Sequence, residues 1–302
     1  MTIRERTYAA WFGPVPAARL GTLRVILGLF MIWTLLDRRA DVAAVSQNGK
    51  FAPVGLVRWG PGELSPAGLE GLQDAALVLA CLWTLGVAWR LTAPLFALVI
   101  TYWGGYRLSF GVLTHGVHLP TLHVIALAFA PAAAAVSVDA RLPVPRWLTW
   151  APGPTAGSGH YAWPLRMVSM ITACTYFLAG IAKLGTDHGA RWATGGNLLG
   201  QVGYTVLVRG LYGGPAGSPL IAAVFDWPGA MTVLAVGSLV IELGAPFALL
   251  NRWVALAWVV GVLSMHAGID ALMGITFAYQ TYGIAFLSLF PVERLLPASA
   301  RR

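Results

Sequence analysis

Few residues in this chain have side chains that could do chemistry, and most of them sit where polar groups are costly. Lys183 closes the run YFLAGIAKL, His266 and Asp270 lie in SMHAGIDALMG, Glu242 lies in VIELGAPF, and His115, His118 and His123 fall in THGVHLPTLH. An ionisable group held in lipid costs about 2.5–3.5 kcal/mol on insertion scales, so each of these needs a partner or a task. A lysine can take a proton if it is first a neutral amine, and removal from water favours that form. His266 and Asp270 are four residues apart, so a helix projects both from one face, where the carboxylate could orient and charge-stabilise the imidazole. Each side chain also has a plainer use. Lys183 can snorkel to the headgroups and would then be removable at little cost to folding. His118 and Asp270 can be interfacial loop residues, Glu242 a neutral acid bonding a neighbouring helix, and His266 a satisfied core histidine.

Other chemistries find less support. His115 and His118 form an H-x-x-H pair, but without the glutamate of a zinc hydrolase, and the chain lacks the further histidine clusters of a membrane di-iron site. A bis-histidine haem would have to join His118 or His123 to His266. Neither metal nor haem is expected. No G-x-S-x-G marks a serine nucleophile. The glycine-rich run from Gly195 to Gly214 lacks the ending and the preceding strand of a phosphate loop, and it reads as flexible turns lying on or dipping into a membrane. Cys81 and Cys174 fall in apolar stretches as small hydrophobes, with no disulfide framework implied.

The elements that must position these residues are membrane helices. Of 302 residues, 57% are hydrophobic and 11% charged, and the mean hydropathy is +0.69. An average soluble domain carries roughly 25% charged residues, so an ordinary soluble enzyme is excluded and lipid is the expected surroundings. About 20 helical residues cross a bilayer core. Eight segments qualify, near 20–36, 74–89, 91–112, 118–136, 164–184, 229–250, 252–270 and 273–291. The expected fold is all-α, a polytopic helical bundle of about eight spans in one domain over residues 1–302, with its core at 20–292 and no soluble C-terminal domain. The run from Leu20 to Leu36 superficially resembles a signal peptide, but no clear cleavage site follows it and further spans do.

The net charge of +8 is the balance of twenty basic residues, eighteen Arg and two Lys, against twelve acidic ones. It lies in short loops and reads as a topology signal rather than a nucleic-acid footprint, so no nucleic-acid partner is expected. Alternating the spans gathers Arg4, Arg6, Arg19, Arg90, Arg141, Arg146, Arg166, Arg252, Arg294, Arg301 and Arg302 with both termini on one side, expected to be cytoplasmic. Two longer loops, 37–73 and 185–228, lie on the other. Lys183, His118, His266 and Asp270 then share the outer end. Glu242, thirteen residues into a span that begins outside, is expected roughly 20 Å down at 1.5 Å per residue, deep rather than a direct partner of the others.

The run YFLAGIAKL, the following Trp192 and Gly195, HLPTLHVIALAFAPAAAAVSVDA before them and MHAGIDALMGITFAYQ after them together resemble the HTTM family. That family includes the membrane domains of vitamin K-dependent gamma-carboxylases, and the resemblance runs in order through residues 20–292. It implies that Lys183 is the base toward a reduced vitamin K or menaquinone-like quinol, with His266 and His118 as the functional histidines. His115 is the rival alignment to His118. Asp270 and Glu242 would support these residues, and Trp192 and Tyr279 would face the quinone. O2 and CO2 would be co-reactants in carboxylation. The implied partners are the lipid bilayer, a small lipophilic quinone and a peptide or protein substrate. The implied setting is a bacterial plasma membrane. The different-class alternative is a non-enzymatic membrane protein of the same fold, acting as an export, maturation or immunity partner. A free amine at Lys183 would further imply that Asp270 serves His266, since an ion pair with Asp270 would keep the lysine charged.

Overall fold

Apolar runs broken by proline, glycine and capping residues produce a helical protein. In the computed structural model, residues 2–48, 50–111, 116–145, 147–149, 157–185, 189–211, 219–227 and 229–298 are described. No strand occurs among them, only one isolated bridge between Val15 and Ser158. The chain divides into two compact units, Met1–Val168 with Phe290–Arg302, and Ser169–Leu289.

The first unit holds α1 (Ile3–Phe12), α2 (Ala17–Asp37), α3 (Arg39–Asn48), α4 (Pro66–Leu85), α5 (Trp89–Leu108) and α6 (His118–Ala128). Leu20, Leu23, Leu27 and Met31 recur at helical spacing along α2 and are buried. Ser65 caps α4, with Pro66 in the first turn where its missing N–H costs nothing. The expected span 118–136 is helical only as far as Ala128, and the chain then turns. Pro131 supplies the reason, having no N–H to continue the ladder. The carbonyls freed there are taken up from other helices: Arg24 donates to Ala132 O at 2.7 Å and Trp89 Nε1 donates to Ala130 O at 2.8 Å. Asp139 in the same turn accepts from the backbone N–H groups of Ala88 and Trp89 at 2.8 and 2.9 Å, closing the start of α5. Arg24 is wholly buried inside an apolar run, a position the sequence reading passed over.

α7 (Gly159–Gly185) begins in the first unit and continues into the second, which adds α8 (Gly189–Ala193), α9 (Gly196–Leu211), α10 (Pro219–Asp226), α11 (Ala230–Leu243), α12 (Arg252–Met273) and α13 (Ala278–Thr281). The glycine-rich run read as flexible turns is therefore helical over Gly196–Leu211: helical spacing of Leu199, Val202 and Val206 outweighs scattered glycines. Arg209 on α9 donates to the carbonyls of Met273 and Gly274, the open end of α12. Asn251 caps the other end through the N–H groups of Trp253 and Val254.

Four helices, α2, α4, α7 and α12, are each long and apolar enough to cross a membrane, and α10 with α11, bent by 103°, passes the same test as a pair. α5 has the length, 20 residues, but not the apolarity, and the other expected spans are shorter or interrupted among the described residues. α6 has 11 residues. The segment 229–250 stops being α-helical at Leu243 and continues as a 3-10 turn over Ala245–Leu249. The segment 273–291 breaks into α13 and a 3-10 turn over Ile284–Leu289. Gly244 with Pro246, and Gly274 with Gly283, punctuate these runs, which hydropathy alone reads through.

Candidate functional site

One face of α7 in the second unit carries a row of polar side chains broken by a glycine. Ser169, Thr172, Tyr176, Gly180 and Lys183 follow one another in steps of three or four residues, the repeat of a single helix face. Each has a counterpart from another element. Ser169 Oγ and Ser288 Oγ are 2.9 Å apart, and Thr172 Oγ1 donates to Ala285 O at 3.1 Å. Tyr176 Oη lies 2.7 Å from His266 Nε2. Lys183 Nζ donates to both carboxylate oxygens of Glu242 at 2.6 Å.

Gly180 makes the last contact possible. A Cβ there would meet Leu243 Cδ2 at 3.0 Å and Glu242 Cβ at 3.1 Å, so the bare backbone lets α7 run against α11 one turn before the lysine. Trp192 completes the surroundings. It is buried against Ala235 and Leu239 of α11, and its ring faces Lys183 Nζ at 4.7 Å. The turn after it, at Gly195, has φ +80°, and a Cβ at that glycine would lie 2.5 Å from the backbone of Met231 and Thr232. Only glycine allows α8 and α9 to close this tightly on the start of α11. The lysine is thus held by an anion and an aromatic face, with its side chain 23% exposed and that of Glu242 only 7%.

This geometry corrects two expectations. Glu242 is a direct partner of Lys183. Counting depth along one straight span from residue 229 failed because α11 is a 14-residue helix, and its orientation is not encoded in residue count. Asp270 does not serve His266. It is exposed, its Oδ1 accepts from Thr276 Oγ1, and His266 turns its Nε2 to Tyr176 instead. Four-residue spacing puts two side chains on one face but does not make them bond.

His266 itself is 6% exposed, among Tyr176, at 5.9 Å between ring centroids, and Phe277, at 5.3 Å. Trp258 packs edge-on against both Tyr176 and Phe286, and Trp258 Nε1 donates to Ile241 O at 2.9 Å, tying α12 to α11 beside Glu242. Nδ1 of His266 is buried and has no hydrogen-bond partner among the described residues. Tyr279 is buried in α13. His118 is the exposed first residue of α6, and His123 is buried on the same helix, both in the first unit. His115 lies outside the described residues. Among those described, no group of three or more His, Cys, Asp or Glu is arranged to hold a metal ion.

Sequence reasoning missed Tyr176. The signal was available: it precedes Lys183 by seven residues, two helical turns, on the face that carries the lysine.

The Lys183–Glu242 pair can exchange a proton internally, passing between ammonium–carboxylate and amine–carboxylic acid without a change in net charge. An amine beside an aromatic plane, with a carboxyl group to hold its proton, is equipped to take a proton from a flat, apolar hydroxyl compound. A family model described as HTTM domain matches residues 12–290 of the chain. No curated protein and no solved structure matches it.

Proposed function

Because the chain belongs to the HTTM domain family and is an integral membrane protein, we propose that it binds a lipid-soluble naphthoquinol and uses Lys183, backed by Glu242, to remove the quinol's hydroxyl proton. The observation that carries this reading is the lysine's double hydrogen bond to Glu242 beside the face of Trp192. A reduced naphthoquinone supplies two electrons and two protons to an oxidant, O2 on this reading. Two features support such a ligand: the flat, apolar indole of Trp192 beside the amine, and the partial exposure that the Lys183 side chain keeps. Glu242 holds the proton that Lys183 must lose before it can accept another. Trp192 orients the ring system, and the packing of Ala235 and Leu239 behind it keeps that surface dry.

The same reading makes the protein a vitamin K-dependent carboxylase-like membrane enzyme, with CO2 and a peptide or protein glutamate as further reactants, in a bacterial plasma membrane with both termini cytoplasmic. Oxygen consumption by the purified full chain with reduced menadione tests the core of it. Wild type is expected to consume oxygen above the uncatalysed rate, and Lys183→Ala to lose that excess. Lys183→Arg should be as inactive as alanine, because a guanidinium keeps its proton. Rising pH should partly rescue the alanine variant as more quinol ionises unaided. Equal rates for wild type and Lys183→Ala would overturn the assignment and leave a non-enzymatic export, maturation or immunity partner as the better reading.

A further inference from the structure

Resting on the quinol-binding reading, we infer that Tyr176 is a positioning residue that fixes the tautomer of His266, so that Nδ1–H of the histidine is presented to a carbonyl or hydroxyl oxygen of the bound ring. Tyr176 Oη and His266 Nε2 are 2.7 Å apart, and either could in principle donate. Counting the unsatisfied groups decides it. If Nε2–H donated, the phenol O–H and the Nδ1 lone pair would both be left buried without partners. If the phenol donates to Nε2, the phenol O–H and the Nε2 lone pair satisfy each other, the imidazole proton sits on Nδ1, and that N–H is the one group left open. Buried polar groups are rarely left unpaired, so the second arrangement is the stable one.

That open donor is 94% buried with its ring, within an aromatic setting of Phe277 and Tyr176. A buried N–H among aromatic rings suits an apolar ligand that carries an acceptor oxygen on a flat ring, and it suits an anion or a metal ion poorly. Tyr176 and Lys183 stand two turns apart on one face of α7, a rise of about 10 Å. His266 Nε2 is held to Tyr176 Oη, so the imidazole lies toward the Tyr176 end of that face, and a ring system carrying two oxygens would lie between it and Lys183. The inference adds to the proposed chemistry a second point of attachment: Lys183 removes a proton at one oxygen, and His266, set by Tyr176, donates a hydrogen bond to the other.

Nitrogen-15 NMR of the full chain in lipid, labelled at histidine and assigned through His266→Gln, reads the tautomer directly. Wild type is expected to show neutral His266 with its proton on Nδ1. Tyr176→Phe should lose that preference. Added menadione should shift the protonated Nδ1 resonance in wild type and not in Tyr176→Phe, with binding, followed by equilibrium dialysis, weakened about fivefold in the variant. A proton on Nε2 in wild type would overturn the inference without recourse to any variant that fails to fold. So would menadione binding that leaves the Nδ1 resonance unmoved, and this result would leave the quinol reading standing. Absence of menadione binding to wild type would overturn both together.

Discussion

Lys183 Nζ sits 2.6 Å from each carboxylate oxygen of Glu242, so a lysine near the end of one apolar helix is joined to the single, buried carboxylate of another. A snorkelling lysine would reach for headgroups, but this one is turned inward onto an anion and an indole ring.

Removing the lysine therefore carries a folding cost that an interfacial lysine would not. Lys183→Ala leaves a 7% exposed carboxyl group without its donor, and a loss of about 1–3 kcal/mol is expected. The double variant Lys183→Met/Glu242→Leu should be more stable than either single variant, since no buried charge is left alone. Thermal unfolding of the three proteins in lipid nanodiscs checks the order.

Gly195→Ala should destabilise by about 2 kcal/mol or more, combining a left-handed backbone with a Cβ pressed onto the backbone of Met231 and Thr232. Trp192 would shift with the turn. Quenching of tryptophan fluorescence by menadione should weaken in this variant, whereas Gly203→Ala, where the added Cβ meets open space, should leave it unchanged.

Arg19 donates through Nε and Nη2 to the two carboxylate oxygens of Glu293, each at 2.7 Å. Burial alone would raise the Glu293 carboxyl, but the hydrogen bonds and charge of Arg19, with Arg294 nearby, hold it below its usual 4.5. A carboxyl held low when folded contributes stability that is fully present above about 4.5 and is lost as pH falls through the folded value. The difference in thermal midpoint between wild type and Glu293→Gln should thus be constant from pH 7 to 6 and shrink below about pH 4.5. A difference unchanged at pH 3.5 would remove Glu293 as its source.

On the proposed topology, which puts the arginine-rich short loops on the side of the termini, reporter fusions at both ends should be active only with a cytoplasmic reporter. Activity of a C-terminal fusion only in an outer-compartment reporter would require an odd number of crossings.

Composition and local pattern determined the class of this protein. A 57% hydrophobic chain with few charges belongs in lipid, where every backbone polar group needs an internal partner, and continuous apolar runs near 20 residues select the helix over the barrel strand. The runs that became α2, α7 and α12 were legible because continuous hydropathy and a 3.6-residue repeat act within one segment. The chemically able residues were legible too, since a charge in an apolar run is conspicuous wherever it lies. Their partners were not. Lys183 found Glu242, 59 positions away, because Gly180 let two backbones approach, and His266 found Tyr176 instead of the aspartate one turn along its own helix. Helical spacing says which side chains share a face. Which faces meet, where a span breaks into 3-10 turns and which hydrogen bond wins are settled by packing between segments distant in sequence, and only the tertiary structure decides them.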